Sequence, residues 1–254
     1  MKPTLFISHG APNTLLKESQ TKNNLRMIRE TLPNPKYIVV ISSHWMTKGI
    51  EIINPLACEL MYDFYGFEKE LYAFKYPMSS SELYTQRVIA QLTNWKPKIN
   101  YERKSFDHGV WTVLSMIYEV LDVPVIQLSL PSDFTAQELF DFGKALQPLR
   151  KEAIIVCSGS ITHNLSDMQL PIDSSVKAYA KSFDDEIKTA LLKGDVALIK
   201  EYERIPFFKH NHPSSEHFLP LLIALGTSKD YKAEVINQAM TYSNISMSSY
   251  IFKG

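Results

Sequence analysis

The chain has 254 residues, 45% hydrophobic and 21% charged, and its 27 Lys plus Arg are balanced by 27 Asp plus Glu. That length can bury a substantial core in one α/β domain spanning 1–254, and the composition argues against a disordered chain or a membrane protein. No basic stripe interleaved with aromatics occurs, which argues against a nucleic-acid partner. The N-terminal MKPTLFISHG carries one lysine and an apolar run too short for a signal-peptide core, so a cytoplasmic protein is expected. Cys58 and Cys157 are the only cysteines, read as free thiols, and a Cys-rich zinc site is excluded.

In chain order, PTLFIS (3–8), YIVVISS (37–43), PVIQLSL (124–130) and EAIIVCS (152–158) are short apolar runs without period-2 alternation, as expected of strands buried on both faces of a parallel sheet. Helical patterns lie between and after them. SSSELYTQRVIAQL opens on a Ser79-x-x-Glu82 capping-box spacing, and TAQELFDFGKAL repeats it at Thr135 and Glu138. VWTVLSMIYEVL (110–121) reads as a helix ended by Asp122 and Pro124, and 174–194 as an amphipathic helix stopped by Gly194. In HPSSEHFLPLL, Ser214 or Ser215 is expected to cap a helix with Glu216 and His217 in its first turn. The alternation predicts a single α/β domain with a central, mostly parallel or mixed sheet flanked by helices.

Seven histidines are present: His9, His44, His108, His163, His210, His212 and His217. His9 follows the first strand, His44 the second, and His163 lies just past the strand ending at Ser158. Open α/β sheets bind ligands beyond the carboxyl ends of their strands, so these imidazoles are expected to converge on one mouth. Taken singly, each has an ordinary structural role: a turn residue in SHGAP, a ring beside Trp45, a helix-entry residue in FDHGVW, a loop residue in GSITHNL. Taken together, their placement at strand exits and a helix entrance favours a histidine site for a divalent metal. His217 is the favoured ligand of its loop. His212 is expected to shape the pocket entrance, and His210 to face solvent. HExxH and G-x-S-x-G are absent, which disfavours a one-helix metalloprotease and an α/β-hydrolase.

The ordered motifs FISHGAP, IVVISSHW, YDFYGF, FDHGVW, VIQLSL, GSITHNL and EHFLPLL resemble the class III (LigB-type) extradiol ring-cleavage dioxygenase superfamily, in its DOPA 4,5-dioxygenase-like branch. The resemblance covers nearly the whole chain. It implies a mononuclear non-haem metal centre with His9, His44 and His217 as ligands, and His163 beside the metal as acid/base or additional ligand. It further implies that His108 faces substrate. Many class III enzymes place a glutamate where this branch uses histidine, so Glu216, beside His217, stays open as a carboxylate ligand. The implied activity is opening of a small, DOPA-like catechol by dioxygen, with ferrous iron required and zinc able to occupy the same ligands without supporting redox chemistry. Tyr62, Phe64 and Tyr65 are candidates for the wall around the ring, and Asp63 and Asp107 for orienting a histidine through its second nitrogen. Two other functions fit the same residues: a zinc-dependent hydrolase using metal-bound water, and a non-catalytic binding protein of the Memo type. The sequence does not determine an oligomeric state.

Overall fold

The computed structural model describes residues 1–254. Eight strands form one sheet: β1 (Thr4–Ser8), β2 (Tyr37–Thr47), β3 (Glu51–Ile53), β4 (Lys98–Asn100), β5 (Val125–Pro131), β6 (Ala153–Gly159), β7 (Glu234–Asn237) and β8 (Ser249–Phe252). Their order is β4-β3-β5-β2-β6-β1-β8-β7. The four central strands β5, β2, β6 and β1 are parallel neighbours. β3 joins β5 antiparallel at one side, and β8 joins β1 antiparallel at the other, so the sheet is mixed.

The apolar runs carry this sheet because successive side chains feed opposite faces. In β2, Val39 and Ile41 enter one core while Ile38 and Val40 enter the other. β6 behaves alike, with Ile155 and Cys157 on one side and Ile154 and Val156 on the other. Each such fully buried aliphatic side chain contributes about 1.5–3 kcal/mol relative to exposure. Helices α1 (Gln20–Thr31) and α2 (Glu82–Gln91) are followed by α3 (His108–Ile117), α4 (Ala136–Leu146), α5 (Ala178–Lys193) and α6 (Pro220–Gly226). Leu25 of α1 and Val110, Trp111 and Leu114 of α3 close one core. The other is closed by Val88 of α2, Phe140 of α4, Phe183 of α5 and Leu222 of α6. No helix is long and apolar enough to cross a membrane.

Several helix ends differ from expectation. The Thr135/Glu138 capping box forms in full. The Ser79/Glu82 box does not: α2 is capped at Ser81 with no side-chain hydrogen bond, and Glu82 instead accepts from Gln86 one turn on. α3 starts at His108 and stops at Ile117, short of Leu121, where the Tyr76 hydroxyl donates to the carbonyls of Leu114 and Tyr118. α5 ends as expected at Gly194, whose φ of 75° is left-handed. His217 does not ride on a helix. It lies in a turn before α6, which begins at Pro220 with no side-chain cap.

Two glycines bring the pieces of the future site together. A Cβ on Gly109 would lie 2.4 Å from Ser42 Oγ and 3.0 Å from His44 Cδ2, so only glycine lets α3 press against the end of β2. A Cβ on Gly159 would lie 2.2 Å from the His217 carbonyl oxygen, which accepts a hydrogen bond from Ser160 N at 2.8 Å. Gly159 therefore admits the His217 turn directly onto the carboxyl end of β6.

Candidate metal centre

Three imidazoles meet at the carboxyl ends of the central strands. His9 follows β1, and its backbone N–H donates to Gly159 O across the parallel β1–β6 pair. His44 lies within β2 rather than after it, where the pairing with β5 breaks register between Ile41 and Met46. That break frees the His44 N–H to donate to Ser42 Oγ at 3.2 Å and leaves the ring on the sheet's rim. His9, His44 and His217 have ring centroids 4.8, 5.2 and 5.1 Å apart in their three pairs.

The Nδ1 atoms of two of these rings are already engaged. His9 Nδ1 is 2.9 Å from Ser158 Oγ and His217 Nδ1 is 3.0 Å from Glu216 Oε1. Their Nε2 atoms are therefore the ones free to coordinate. The Nε2 atoms of His9 and His44 are 3.1 Å apart, and that of His217 is buried without any partner. One ligand nitrogen or oxygen from each of the three residues falls within 4.8 Å of the others. An ion with metal–nitrogen bonds of about 2.1 Å holds its nitrogens within about 4.2 Å of one another, shorter than the 4.8 Å bound on this set, so a single divalent cation would be held once the rings draw slightly together. The orphaned Nε2 of His217 is the clearest sign, because a buried polar atom without a partner is costly.

Electrostatics agrees with the geometry. Burial, followed by repulsion from neighbouring imidazoles, holds His9 and His217 well below the ordinary histidine range. Burial and then His108 bring His44 down to about 3, and burial brings His163 to about 4. Near neutral pH these rings are uncharged and carry a free lone pair, the form that binds metal or accepts a proton.

His163 and His108 flank the trio. The His163 ring stacks on His217 with centroids 3.5 Å apart, and its backbone N–H is held by Asn211 O at 2.9 Å. His108, the first residue of α3, lies 3.9 Å from His44 between ring centroids. Asp63 Oδ1 accepts from both the backbone N–H (3.0 Å) and Nδ1 (2.9 Å) of His108. Burial alone would raise the Asp63 carboxyl, but the bonds from His108 outweigh it and hold it below its ordinary range. Asp107 behaves differently from the expectation that it orients a histidine. It is fully buried and accepts from Ser42 Oγ (2.7 Å), Arg103 Nη2 (3.0 Å) and Gln127 Nε2, so it braces the end of β2 behind His44.

All five histidines open onto one cavity of about 780 Å³, within the usual range for a small-molecule site. Phe64 and Tyr65 line it, as expected. Tyr62 does not: its ring packs 5.6 Å from Trp111 and its hydroxyl donates to Phe74 O, so it supports the wall from behind. His212 is not at the entrance either. It is buried among Phe183, Phe208 and Phe218, and its Nε2 hydrogen-bonds to Ile161 O at 2.7 Å. His210 is exposed, beside Asp167. Glu216 sits 3.0 Å from His217 Nδ1, the place of an orienting carboxylate. Sequence reasoning missed Ser158, Asn13, Glu68 and Tyr242, of which the last three line the cavity. Ser158 was within reach, since it ends a predicted strand, but its partner follows from the β1–β6 register that pairs Ile7 with it.

Residues 3–253 match the family described as the catalytic LigB subunit of aromatic ring-opening dioxygenase. A 4,5-DOPA dioxygenase extradiol of Escherichia coli K12 is 35% identical over 231 residues, covering 88% of this chain and 84% of its own length. A protein of the same name from Beta vulgaris is 35% identical over 260 residues, covering 99% of this chain and 97% of its own. The crystal structure of an uncharacterized protein from Escherichia coli K12 superposes with a TM-score of 0.86 at 30% identity, with both chains covered in full. With the likeness running from end to end in both sequence and fold, the chain belongs to the LigB family of aromatic ring-opening dioxygenases.

Proposed function

We propose that this protein is a ferrous-iron-dependent extradiol dioxygenase that opens the ring of a small catechol with dioxygen. The observation that carries the reading is the trio His9, His44 and His217, two of them with Nδ1 pinned by Ser158 or Glu216, at one end of a cavity walled by Phe64, Phe67 and Ile245. The family and the names of the relatives support the same chemistry. Iron, when bound by these three residues, supplies redox capacity and open coordination positions where a catechol and dioxygen are brought together.

The chain's own groups do the rest. The apolar walls seat the aromatic ring and exclude water, which strengthens every polar contact inside. His163 lies against His217 and lines the cavity, so its unprotonated imidazole accepts the catechol's second hydroxyl proton and later returns it. His108, locked through Nδ1 by Asp63, presents its other nitrogen to the substrate and stabilises negative charge that develops on oxygen. Zinc fits the same imidazoles but lacks a second accessible oxidation state, so a zinc-filled protein is expected to be inactive as a dioxygenase.

The test is anaerobic loading with ferrous iron, then addition of a catechol panel and oxygen. A yellow ring-opened semialdehyde is expected from at least one member. Stoichiometric iron binding with no ring-opened product from any catechol would refute the reading.

A further inference from the structure

A second cavity, of about 540 Å³, lies at the opposite rim of the sheet, where β2 and β6 begin. Tyr37 opens β2 and His44 lies near its far end, roughly 20 Å away at the usual rise per residue, so this cavity is separate from the histidines. Arg87 and Ala90 reach it from α2, and Pro148, Leu149, Lys151 and Glu152 from the segment between α4 and β6.

Tyr37, which also lines it, carries an anomaly. Its side chain is fully buried and stacks on Tyr84 with ring centroids 4.4 Å apart, yet its hydroxyl has no hydrogen-bond partner. A buried hydroxyl left unpaired destabilises the fold, and such groups are rare. Burial raises this one above the ordinary tyrosine range although the Arg87 charge works the other way, so near neutral pH it is a proton donor. The surrounding charges are unbalanced as well. Glu152 pairs with both Arg87 and Lys36, which leaves Lys151 without a carboxylate. Three cations thus share one anion beside a donor that has nothing to bond.

We propose that this cavity binds a small phosphate monoester, its head met by Tyr37 Oη, Arg87 and Lys151 and its organic part lying on Ala90, Pro148 and Leu149. A phosphate carries about 1.5 to 2 negative charges at neutral pH on three acceptor oxygens, which answers both the excess of cations and the unpaired hydroxyl. A carboxylate brings less charge and fewer oxygens. Arg87 meets the phosphate by exchanging Glu152 for it, and because its side chain is 45% exposed the pair it gives up is a weak one.

The probes are phenyl phosphate, benzoate and inorganic phosphate, titrated by calorimetry into zinc-loaded and metal-free protein. Phenyl phosphate is expected to bind the metal-free form, about tenfold more tightly than benzoate, and more tightly than inorganic phosphate, which leaves the apolar residues uncovered. Tyr37→Phe keeps the stack on Tyr84. It should weaken phenyl phosphate by about tenfold while raising the midpoint of chemical denaturation, since it removes the unpaired hydroxyl. Lys151→Ala, at the exposed side, should weaken binding by about threefold, and Glu152→Gln should strengthen it by a similar factor. Absence of binding at about 10 mM phenyl phosphate, or binding only when zinc is present, would overturn the proposal. So would benzoate or inorganic phosphate binding as tightly as phenyl phosphate, or Tyr37→Phe leaving affinity unchanged or lowering the denaturation midpoint.

Discussion

Glu216 distinguishes an orienting carboxylate from a fourth ligand. Its Oε1 lies 3.0 Å from His217 Nδ1, and Ser214 Oγ donates to the same oxygen at 3.0 Å, so the carboxylate is itself held in place. Accepting the Nδ1–H fixes the tautomer that directs the lone pair of Nε2 at the metal and raises the ring's basicity. Loss of such a partner costs about 10- to 100-fold in metal affinity, or about 1.4–2.7 kcal/mol, in line with a hydrogen bond to a charged group. Glu216→Ala should therefore weaken zinc binding by that factor, measured by competition against a chromogenic chelator, with the thermal midpoint of the metal-free protein little changed. Glu216→Gln keeps an acceptor oxygen and loses the charge, so it should fall between Ala and the native residue. Unchanged affinity in Glu216→Ala would refute the orienting role. Complete loss of metal in both variants would show that the carboxylate coordinates directly.

Three further outcomes follow from the same geometry. His44→Ala should lose stoichiometric metal, whereas His163→Ala should retain it and lose about 10²–10⁴ in turnover, the usual worth of a general acid/base; equal metal loss in both, measured by elemental analysis, would make His163 a ligand. Burial lowers His163 and His212 to about 4, so between that value and the unfolded pKa of about 6.5 the unfolded chain binds more protons. Stability of the metal-free protein should then be full above that window and fall on acidification through it, by up to about 1.4 kcal/mol per pH unit for each such histidine; a denaturation midpoint that stays flat from pH 7 to 5 would contradict this. Arg150 is fully buried and donates to the carbonyls of Lys2, Thr227, Phe252, Lys253 and Gly254. Arg150→Ala leaves those carbonyls unpartnered and should cost about 3–5 kcal/mol in chemical denaturation, and a loss below 1 kcal/mol would show that water replaces the guanidinium.

The central strands were legible because burial on both faces writes itself as continuous apolar runs. The short outer strands were not. Glu51–Ile53 and the two edge strands Lys98–Asn100 and Glu234–Asn237 are three or four residues long, and their pairing comes from neighbours distant in sequence. The meeting of His9, His44 and His163 could be anticipated from strand ends, and that of His108 from a helix start; His217 was placed on a helix that begins only at Pro220, and it is the close approach allowed by Gly159 that brings its turn to the same rim. Which atom each ring offers could not be anticipated, because Ser158 reaches His9 through the register of parallel strands. His212 was misplaced for a related reason. A histidine beside Pro213 in a polar stretch reads as a rim residue, yet three phenylalanines and the Ile161 carbonyl draw it inward. Asp63 and Asp107 were equal candidates by sequence, and only the approach of α3 to β2 assigns one to His108 and the other to Ser42.

The most direct test of the metal centre is a crystal structure of the protein soaked with ferrous iron without oxygen, phased at the iron edge. One anomalous peak per chain is expected, bonded at about 2.0–2.2 Å by Nε2 of His9, His44 and His217. A peak elsewhere, or iron held without one of these three imidazoles, would contradict the account.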